Sequence, residues 1–118
     1  MREEEIVEIA AEFILTRGTE ELADLTEEKV AQNVGVDSFH LSRYFKKEQK
    51  MSIANFILRE KLYRAYFILK DNYFKPIDVL SNELGFPGVE DFNIKFENFF
   101  AIKPKKYKDI RKNPPDFK

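Results

Sequence analysis

Residues 37–50, DSFHLSRYFKKEQK, crowd several reactive side-chain types into one short segment. With helical spacing, Leu41, Tyr44 and Phe45 share an apolar face. The opposite face carries basic and polar groups with one phenylalanine: Phe39, His40, Ser42, Arg43, Lys46, Lys47 and Lys50. Guanidinium, imidazole and hydroxyl groups form hydrogen bonds, so this face could read the edges of nucleic-acid bases. An ordinary solvated face is the alternative, and the segment alone does not decide between them.

The sequence contains few residues suited to catalysis or metal binding. The chain has no cysteine, which excludes disulfides, thiolate nucleophiles and cysteine-based zinc sites. Its one histidine, His40, leaves no histidine metal site and no credible Ser-His-Asp triad. We therefore expect no enzyme activity, no metal and no cofactor, with His40 at the surface.

Charge is distributed unevenly along the chain, although the net charge is only −1. Residues 1–28 hold two arginines and ten acidic residues, a net of −8, so residues 29–118 carry +7. Residues 102–118 carry +5, from seven Lys or Arg against two Asp. An acidic start followed by a basic body is compatible with polyanion binding, because phosphates respond to the local charge.

Length and composition indicate one folded domain. A chain of 118 residues with 43% hydrophobic content and 12 Phe can build a real core. Tyr44 and the phenylalanines other than Phe39 are expected in that core. The start, MREEE, lacks an apolar signal segment, and no apolar run is long enough to cross a bilayer. These features predict a soluble, cytoplasmic protein without a membrane segment.

The first elements are an acidic helix and a helix-turn-helix. A helix within residues 1–18 would bury one stripe: Ile6, Ile9, Ala10, Phe13 and Ile14. Thr26 is a good N-cap for the next helix, and Asp37 for the one after it. Gly35 suits the turn between them because glycine reaches positive φ without a Cβ clash. A short helix, a glycine turn and a second helix make a helix-turn-helix.

The same pattern occurs a second time. Gly85 lies 50 residues after Gly35, while Phe92 and Phe96 stand 51 residues after Leu41 and Phe45. A repeat maintained over this length indicates two copies of one supersecondary unit. The segment between the copies is a long helix with a broad apolar face, made by Phe56, Ile57, Leu62, Ala65, Ile68 and Leu69.

We therefore predict an all-α fold with two helix-turn-helix subdomains joined by a long connecting helix. The first unit spans about residues 25–50, the connecting helix about 53–70 and the second unit about 76–107. These units lie within a domain over residues 19–111. The tail, residues 112–118 (KNPPDFK), cannot continue a helix through its prolines and is expected to be extended or disordered.

From about Thr26 to Arg111 the sequence resembles the C-terminal DNA-binding domain of AraC/XylS-type transcription regulators. The segments that carry the resemblance are VAQNVGVDSFHLSRYFKKE, MSIANFILREKLYRA, VLSNELGFPGVEDFNIKF and IKPKKY. The family implies a seven-helix domain whose two reading helices, the second helix of each unit, enter successive major-groove segments on one face of double-stranded DNA.

Carried over position by position, the resemblance assigns two sets of site residues. The residues expected to face base edges are Phe39, His40, Ser42 and Arg43 in the first unit, with Val89, Glu90, Asn93 and Ile94 in the second. The residues expected near phosphates are Lys46, Lys47, Lys50, Lys95, Lys105 and Lys106. The chemistry of the first set agrees, since arginine can pair with guanine and phenylalanine can pack on a thymine methyl.

The sequence departs from the family in three places. Lys50 and Ala101 stand where the family usually has glycine after each reading helix. Glu97 stands where a basic residue is common, and the second reading helix sets only Lys95 against three acidic side chains. We therefore expect the first unit to dominate affinity, with the second adding register.

The expected function is sequence-specific DNA binding for a transcription regulator, by a monomer on an asymmetric site. RNA polymerase would be a further partner if the regulator activates. A sensor or receiver domain does not fit in the remaining residues, so the chain would be a fragment or a small stand-alone regulator, associated with the nucleoid. The alternative is a helical protein-interaction module that keeps the fold but binds DNA weakly or not at all.

Overall fold

The computed structural model describes residues 1–114, which form eight α-helices and no strand. The helices are α1 (Glu3–Leu15), α2 (Thr19–Ala23), α3 (Glu27–Val34), α4 (Ser38–Gln49), α5 (Ile53–Asp71), α6 (Ile77–Glu83), α7 (Val89–Phe100) and α8 (Pro104–Lys112). The predicted all-α class is confirmed. No helix in this described part is long and apolar enough to cross a membrane.

Two differences from the sequence analysis concern the ends of the fold. The helix α2 was not predicted; it buries Leu22, and the seven described helices from α2 to α8 follow the acidic helix α1. Lys112 closes α8, so the predicted tail starts one residue too early. Residues 113 and 114 are not helical, and the rest of the predicted tail lies outside the described residues.

The chain divides into two compact units, Met1–Glu60 and Lys61–Lys118. In the first unit, α1 packs on α3 and α4, which also pack on each other. Its core buries twelve side chains: Ile6, Val7, Ala10, Ile14, Leu22, Val30, Ala31, Leu41, Phe45, Ile53, Phe56 and Ile57. The predicted stripe of α1 was partly wrong: Val7 is buried, Ile9 is 40% exposed and Phe13 lies at the edge of the core. The guanidinium of Arg17 covers the Phe13 ring, 4.2 Å from its centroid.

In the second unit, α7 packs on α6 and on α8. Its buried hydrophobic residues are Leu62, Ala65, Leu69, Leu80, Leu84, Phe86, Phe92, Phe96 and Tyr107. The expectation that the phenylalanines lie in the core was wrong for Phe67, Phe74 and Phe99, which are 54%, 70% and 42% exposed. Helix α5 turns one stripe inward, and Phe67 lies outside that stripe.

The two helix-turn-helix units share one turn geometry. Gly35 and Gly85 both adopt left-handed backbone conformations, with φ of 88° and 79°. The next residue closes each turn by donating its N–H five residues back, from Val36 to the Ala31 carbonyl and from Phe86 to the Ser81 carbonyl. These are Schellman-type helix ends, in which glycine avoids a Cβ clash. Two residues separate Gly35 from the start of α4, whereas three separate Gly85 from the start of α7. This difference of one residue explains why the repeat offset changes from 50 to 51.

Candidate nucleic-acid interface

Helix α4 is fixed at its start and along one face. The Oδ1 atom of Asp37 accepts a hydrogen bond from the backbone N–H of His40 at 2.9 Å, so the predicted N-cap is confirmed. Thr26 caps α3 in the same way, through the Lys29 N–H. Leu41 and Phe45 are fully buried, and each such side chain contributes about 1.5–3 kcal/mol. Their burial leaves the opposite face of α4 turned outward.

That outward face begins with a connected group of rings and one guanidinium. Phe39 is 67% exposed, and its ring meets the His40 imidazole edge-on with centroids 5.7 Å apart. The Arg43 guanidinium lies 5.9 Å from the Phe39 ring centroid. Arg43 is exposed, whereas Ser42 is only half-exposed. Three of the four residues of the first unit that are expected to read bases are thus joined by ring contacts on one surface.

Lysines occupy the last turn of α4 and the residue after it. Lys46, Lys47 and Lys50 are all exposed. The Nζ atom of Lys47 lies 3.4 Å from Oε2 of Glu3 in α1, a contact that joins side chains 44 positions apart. Glu3 also lines a shallow cavity together with Arg43, Tyr44 and the two helical lysines. Tyr44, expected in the core, is half-exposed here.

Both reading helices end in the left-handed conformation without glycine. Lys50 has φ of 61° and Ala101 has φ of 62°. Each donates its backbone N–H to the carbonyl four residues earlier, Lys46 at 3.0 Å and Glu97 at 2.8 Å. The backbone therefore adopts the glycine-type cap of the family although the side chain disfavours it by roughly 1–2 kcal/mol.

Helix α7 repeats the anchoring of α4 but not its chemistry. Phe92 and Phe96 are fully buried in the places that correspond to Leu41 and Phe45. No side chain caps α7, since its N-cap is Gly88 in extended conformation. The Gly88 carbonyl instead accepts a hydrogen bond from the Ser81 hydroxyl at 3.3 Å.

The outward face of α7 is apolar and acidic. Ile94 is 60% exposed and Val89 38%, Glu90 is exposed and Asn93 half-exposed. The Lys95 Nζ lies 3.0 Å from Oδ2 of Asp91, so this lysine is paired within its own helix. Acidic residues in a first turn also stabilise the helix dipole, which gives Glu90 a purely structural explanation.

The basic C-terminal helix contains two kinds of cation. Lys108 donates to the Lys75 carbonyl at 2.8 Å, and Arg111 donates to the Lys70 carbonyl at 3.2 and 3.1 Å. Lys105 and Lys106 are exposed in the first turn of α8. Positive charge in a first turn opposes the helix dipole, so these two lysines cost α8 stability. A role outside α8 would account for their presence.

Several features of this surface were missed by the sequence analysis. The Oδ2 atom of Asp37 forms a hydrogen bond with Nδ1 of His40. The spacing of three residues across a helix start could have indicated this contact. The contact between Glu3 and Lys47 could not have been found, because no sequence pattern joins residues so far apart. No group of three His, Cys, Asp or Glu able to hold a metal occurs in residues 1–114.

Two units with matching turns, buried anchors and left-handed helix ends define a double helix-turn-helix protein. The chain is similar in sequence to two kinds of curated protein. The multiple antibiotic resistance protein MarA of Escherichia coli is 33% identical over 84 residues, covering 71% of this chain and 65% of MarA. The Msm operon regulatory protein of Streptococcus mutans is 29% identical over 85 residues, covering 71% of this chain and 30% of that protein. The chain thus spans less than two-thirds of either relative.

Solved structures of similar fold include AraC-type DNA-binding domains. A transcriptional regulator with an AraC-type DNA-binding domain from Chromobacterium violaceum superposes with a TM-score of 0.81 at 25% identity, covering 95% of this chain and 96% of its own. The C-terminal domain of the response regulator AraT from Geobacillus stearothermophilus shares the fold, with a TM-score of 0.78 at 24% identity, covering 96% and 93%. No protein-family model matches the chain. In sequence and in fold the chain is similar to AraC-type DNA-binding domains.

Proposed function

We propose that this chain binds double-stranded DNA in a sequence-dependent way, as the DNA-binding part of a transcription regulator. The observation that carries the proposal is the outward face of α4. An exposed phenylalanine, a histidine and an arginine lie in contact there, and three exposed lysines follow within two turns. Similarity to MarA and to an AraC-type DNA-binding domain supports the same function.

Within α4 the two groups of side chains have different tasks. Arg43 can form two parallel hydrogen bonds to guanine O6 and N7, and Phe39 can pack on a thymine methyl. Ser42 and His40 add hydrogen-bonding groups for neighbouring bases. Lysines neutralise phosphates and fix the position of the helix without reading sequence, and the ones in place for this are Lys46, Lys47 and Lys50.

Helix α7 would read a second, successive segment of the major groove, as the family resemblance implies. Ile94 and Val89 supply apolar contacts for thymine methyls, and Asn93 can pair with adenine. Glu90 can accept a hydrogen bond from cytosine. Lys95, Lys105 and Lys106 would approach phosphates, although Lys95 must first leave Asp91. The second unit therefore contributes less affinity than the first.

Further partners and location follow from this proposal. One chain carries two reading helices, so a monomer suffices for an asymmetric site. RNA polymerase would be contacted if the regulator activates transcription, and a sensor or receiver domain would supply the signal. The protein would act in the cytoplasm, associated with the nucleoid.

The salt dependence of binding to duplex DNA tests the proposal. We expect affinity for a random duplex, measured by fluorescence anisotropy, to fall steeply as salt rises. With about five phosphate contacts the slope of log K against log [salt] is about −4 to −5, because each contact releases counterions. A slope near zero, or no binding at low salt, would contradict DNA binding.

A second candidate function is a helical protein-interaction module. The observation that favours it lies in the second unit, where Phe67 and Phe99 are exposed and the one cation of α7 is paired. Exposed aromatic surface is typical of protein-binding sites. Absence of DNA binding at low salt would select this function, whereas a steep salt slope would reject it.

A further inference from the structure

A single carboxylate holds both the backbone and the ring of His40. Oδ1 of Asp37 accepts the His40 backbone N–H at 2.9 Å, and Oδ2 forms a hydrogen bond with the ring nitrogen Nδ1. The ring therefore cannot turn without breaking the second contact. Asp37 thus acts twice, as the N-cap of α4 and as the group that orients the imidazole.

The charge of Asp37 determines which ring nitrogen carries the proton. The backbone hydrogen bond from His40, followed by the side-chain hydrogen bond to the same residue, lowers the pKa of Asp37 below its ordinary value of 3.8. An ionised carboxylate has only acceptor atoms, so Nδ1 must carry the shared hydrogen. In neutral His40 the other nitrogen, Nε2, is then an acceptor.

The surroundings leave Nε2 available to a ligand. The His40 side chain is 51% exposed, and Nε2 forms no hydrogen bond with any residue in the described range. Two aromatic rings lie near the imidazole, with centroids 5.7 Å away for Phe39 and 6.1 Å away for Tyr44.

Some charged groups of the neighbouring elements have partners of their own. In α1, Glu3 reaches α4 but pairs with Lys47, about two turns beyond His40. In α3 the charged side chains are Glu27, Glu28 and Lys29, and Lys29 bonds the Asp24 carbonyl. Within α4 itself the guanidinium of Arg43 lies over Phe39. Asp37 is thus the charged partner of the imidazole.

We propose that His40 is a specificity-determining residue whose base preference changes with its protonation, and that Asp37 is its positioning residue. The proposal rests on the proposed DNA binding. At alkaline pH, Nε2 accepts a hydrogen bond from the amino group of adenine or cytosine. When solvent supplies a proton, Nε2–H becomes a donor and favours guanine, whose major-groove edge presents two acceptors. Histidine is the side chain that makes this change between about pH 5 and 8.

The first test needs no DNA. His40 is the one histidine of the chain, so its imidazole nitrogens give a single set of ¹⁵N signals. We expect the Nδ1–H tautomer at pH 8 in the wild-type chain. Asp37→Ser keeps an N-cap acceptor but removes the carboxylate, so it should give a mixture of the two tautomers at pH 8. An Nε2–H tautomer in the wild type would overturn the proposal.

The second test reads the base preference directly. Duplexes are selected from a random pool at pH 8 and at pH 5.5, with wild type and His40→Gln. We expect one position of the wild-type site to change from adenine or cytosine to guanine, by about tenfold in relative affinity. His40→Gln should keep one preference at both pH values, because an amide does not titrate in this range.

The outcomes separate this inference from the function on which it rests. A wild-type preference that does not change with pH overturns the role of His40 and leaves DNA binding intact. Equal strengthening of all duplexes at low pH also overturns it, since His40 would then meet a phosphate. Absence of duplex binding at both pH values overturns the proposed function and this inference together, while the tautomer result would stand.

Discussion

Ala101 and Lys50 hold a backbone conformation that favours glycine, and each ends a reading helix. For Ala101 the strain can be tested without changing any charge. We predict that Ala101→Gly raises the free energy of unfolding by about 0.5–1 kcal/mol, because relief of the left-handed strain exceeds the extra chain entropy of glycine. Urea denaturation measures the change.

The matched control lies in the first turn. Gly35 has φ of 88°, and a Cβ there would meet no atom within 4 Å. Gly35→Ala should therefore lower stability by about 1 kcal/mol through backbone strain alone. Destabilisation by Ala101→Gly would show that this helix end does not depend on the left-handed conformation.

The stability of the second unit should depend on pH in the alkaline range through Tyr107. Burial, followed by a hydrogen bond with Tyr66, raises the pKa of Tyr107 to about 12 from an ordinary value of 10.0. The two rings also stack with centroids 4.8 Å apart. Because the folded state favours the neutral phenol, its stabilising effect is complete below about pH 10 and is lost as the pH rises toward 12.

We predict that unfolding midpoints of wild type and Tyr107→Phe converge between these two pH values. Urea denaturation at several pH values measures the difference in unfolding midpoint between the two proteins. Because the other titratable groups are the same in both, their titration cancels in this difference. Tyrosinate absorbance should also show one of the five tyrosines ionising late. A wild-type titration with all five near pH 10 would contradict the burial of this hydroxyl.

At the scale of elements, α1 places acidic side chains beside a helix that is proposed to meet phosphates. Glu3 and Lys47 form an exposed pair, with side chains 43% and 69% accessible. Such pairs contribute little to stability, typically below about 1 kcal/mol. The pair does, however, engage a lysine that DNA would need.

We predict that Glu3→Gln raises affinity for every duplex by about two- to fivefold. This factor corresponds to the free energy of the exposed ion pair that Lys47 must otherwise break before it meets a phosphate. Glu8→Gln is the control, since Glu8 is an exposed acid of the same helix, whereas the ion pair of this lysine is with Glu3. Anisotropy titrations of both variants measure the effect. An equal gain from both variants would mean that α1 acts only through its net charge.

For the whole molecule, the sequence predicted what local physics determines. The N-caps at Thr26 and Asp37 follow from side-chain chemistry, and the glycine turns follow from the allowed backbone angles. The repeat of buried anchors followed from periodicity. The sequence also predicted the outward face of α4, although the expected roles of its residues stay predictions.

The remaining features depend on tertiary context. Phe67, Phe74 and Phe99 are exposed because hydrophobic character alone does not determine which aromatic residues face the core. The left-handed backbone at Ala101 contradicts local propensity and is maintained by the fold around it. The orientation of the His40 ring depends on its contact with Asp37 in the folded structure. The sequence does not show which ring nitrogen carries the proton.

The central claim, that α4 reads DNA sequence, is tested most directly by comparing Arg43→Ala with Lys46→Ala. Both side chains are exposed cations of α4, three residues apart. Their affinities for a duplex selected from a random pool and for an unselected duplex are measured at one salt concentration. The unselected duplex reports phosphate contacts alone.

We predict that Arg43→Ala weakens binding to the selected duplex by about 1–3 kcal/mol and binding to the unselected duplex far less. Lys46→Ala should weaken both duplexes alike and flatten the salt slope by about one. If both variants lose the same affinity on both duplexes, α4 contributes charge and does not read sequence.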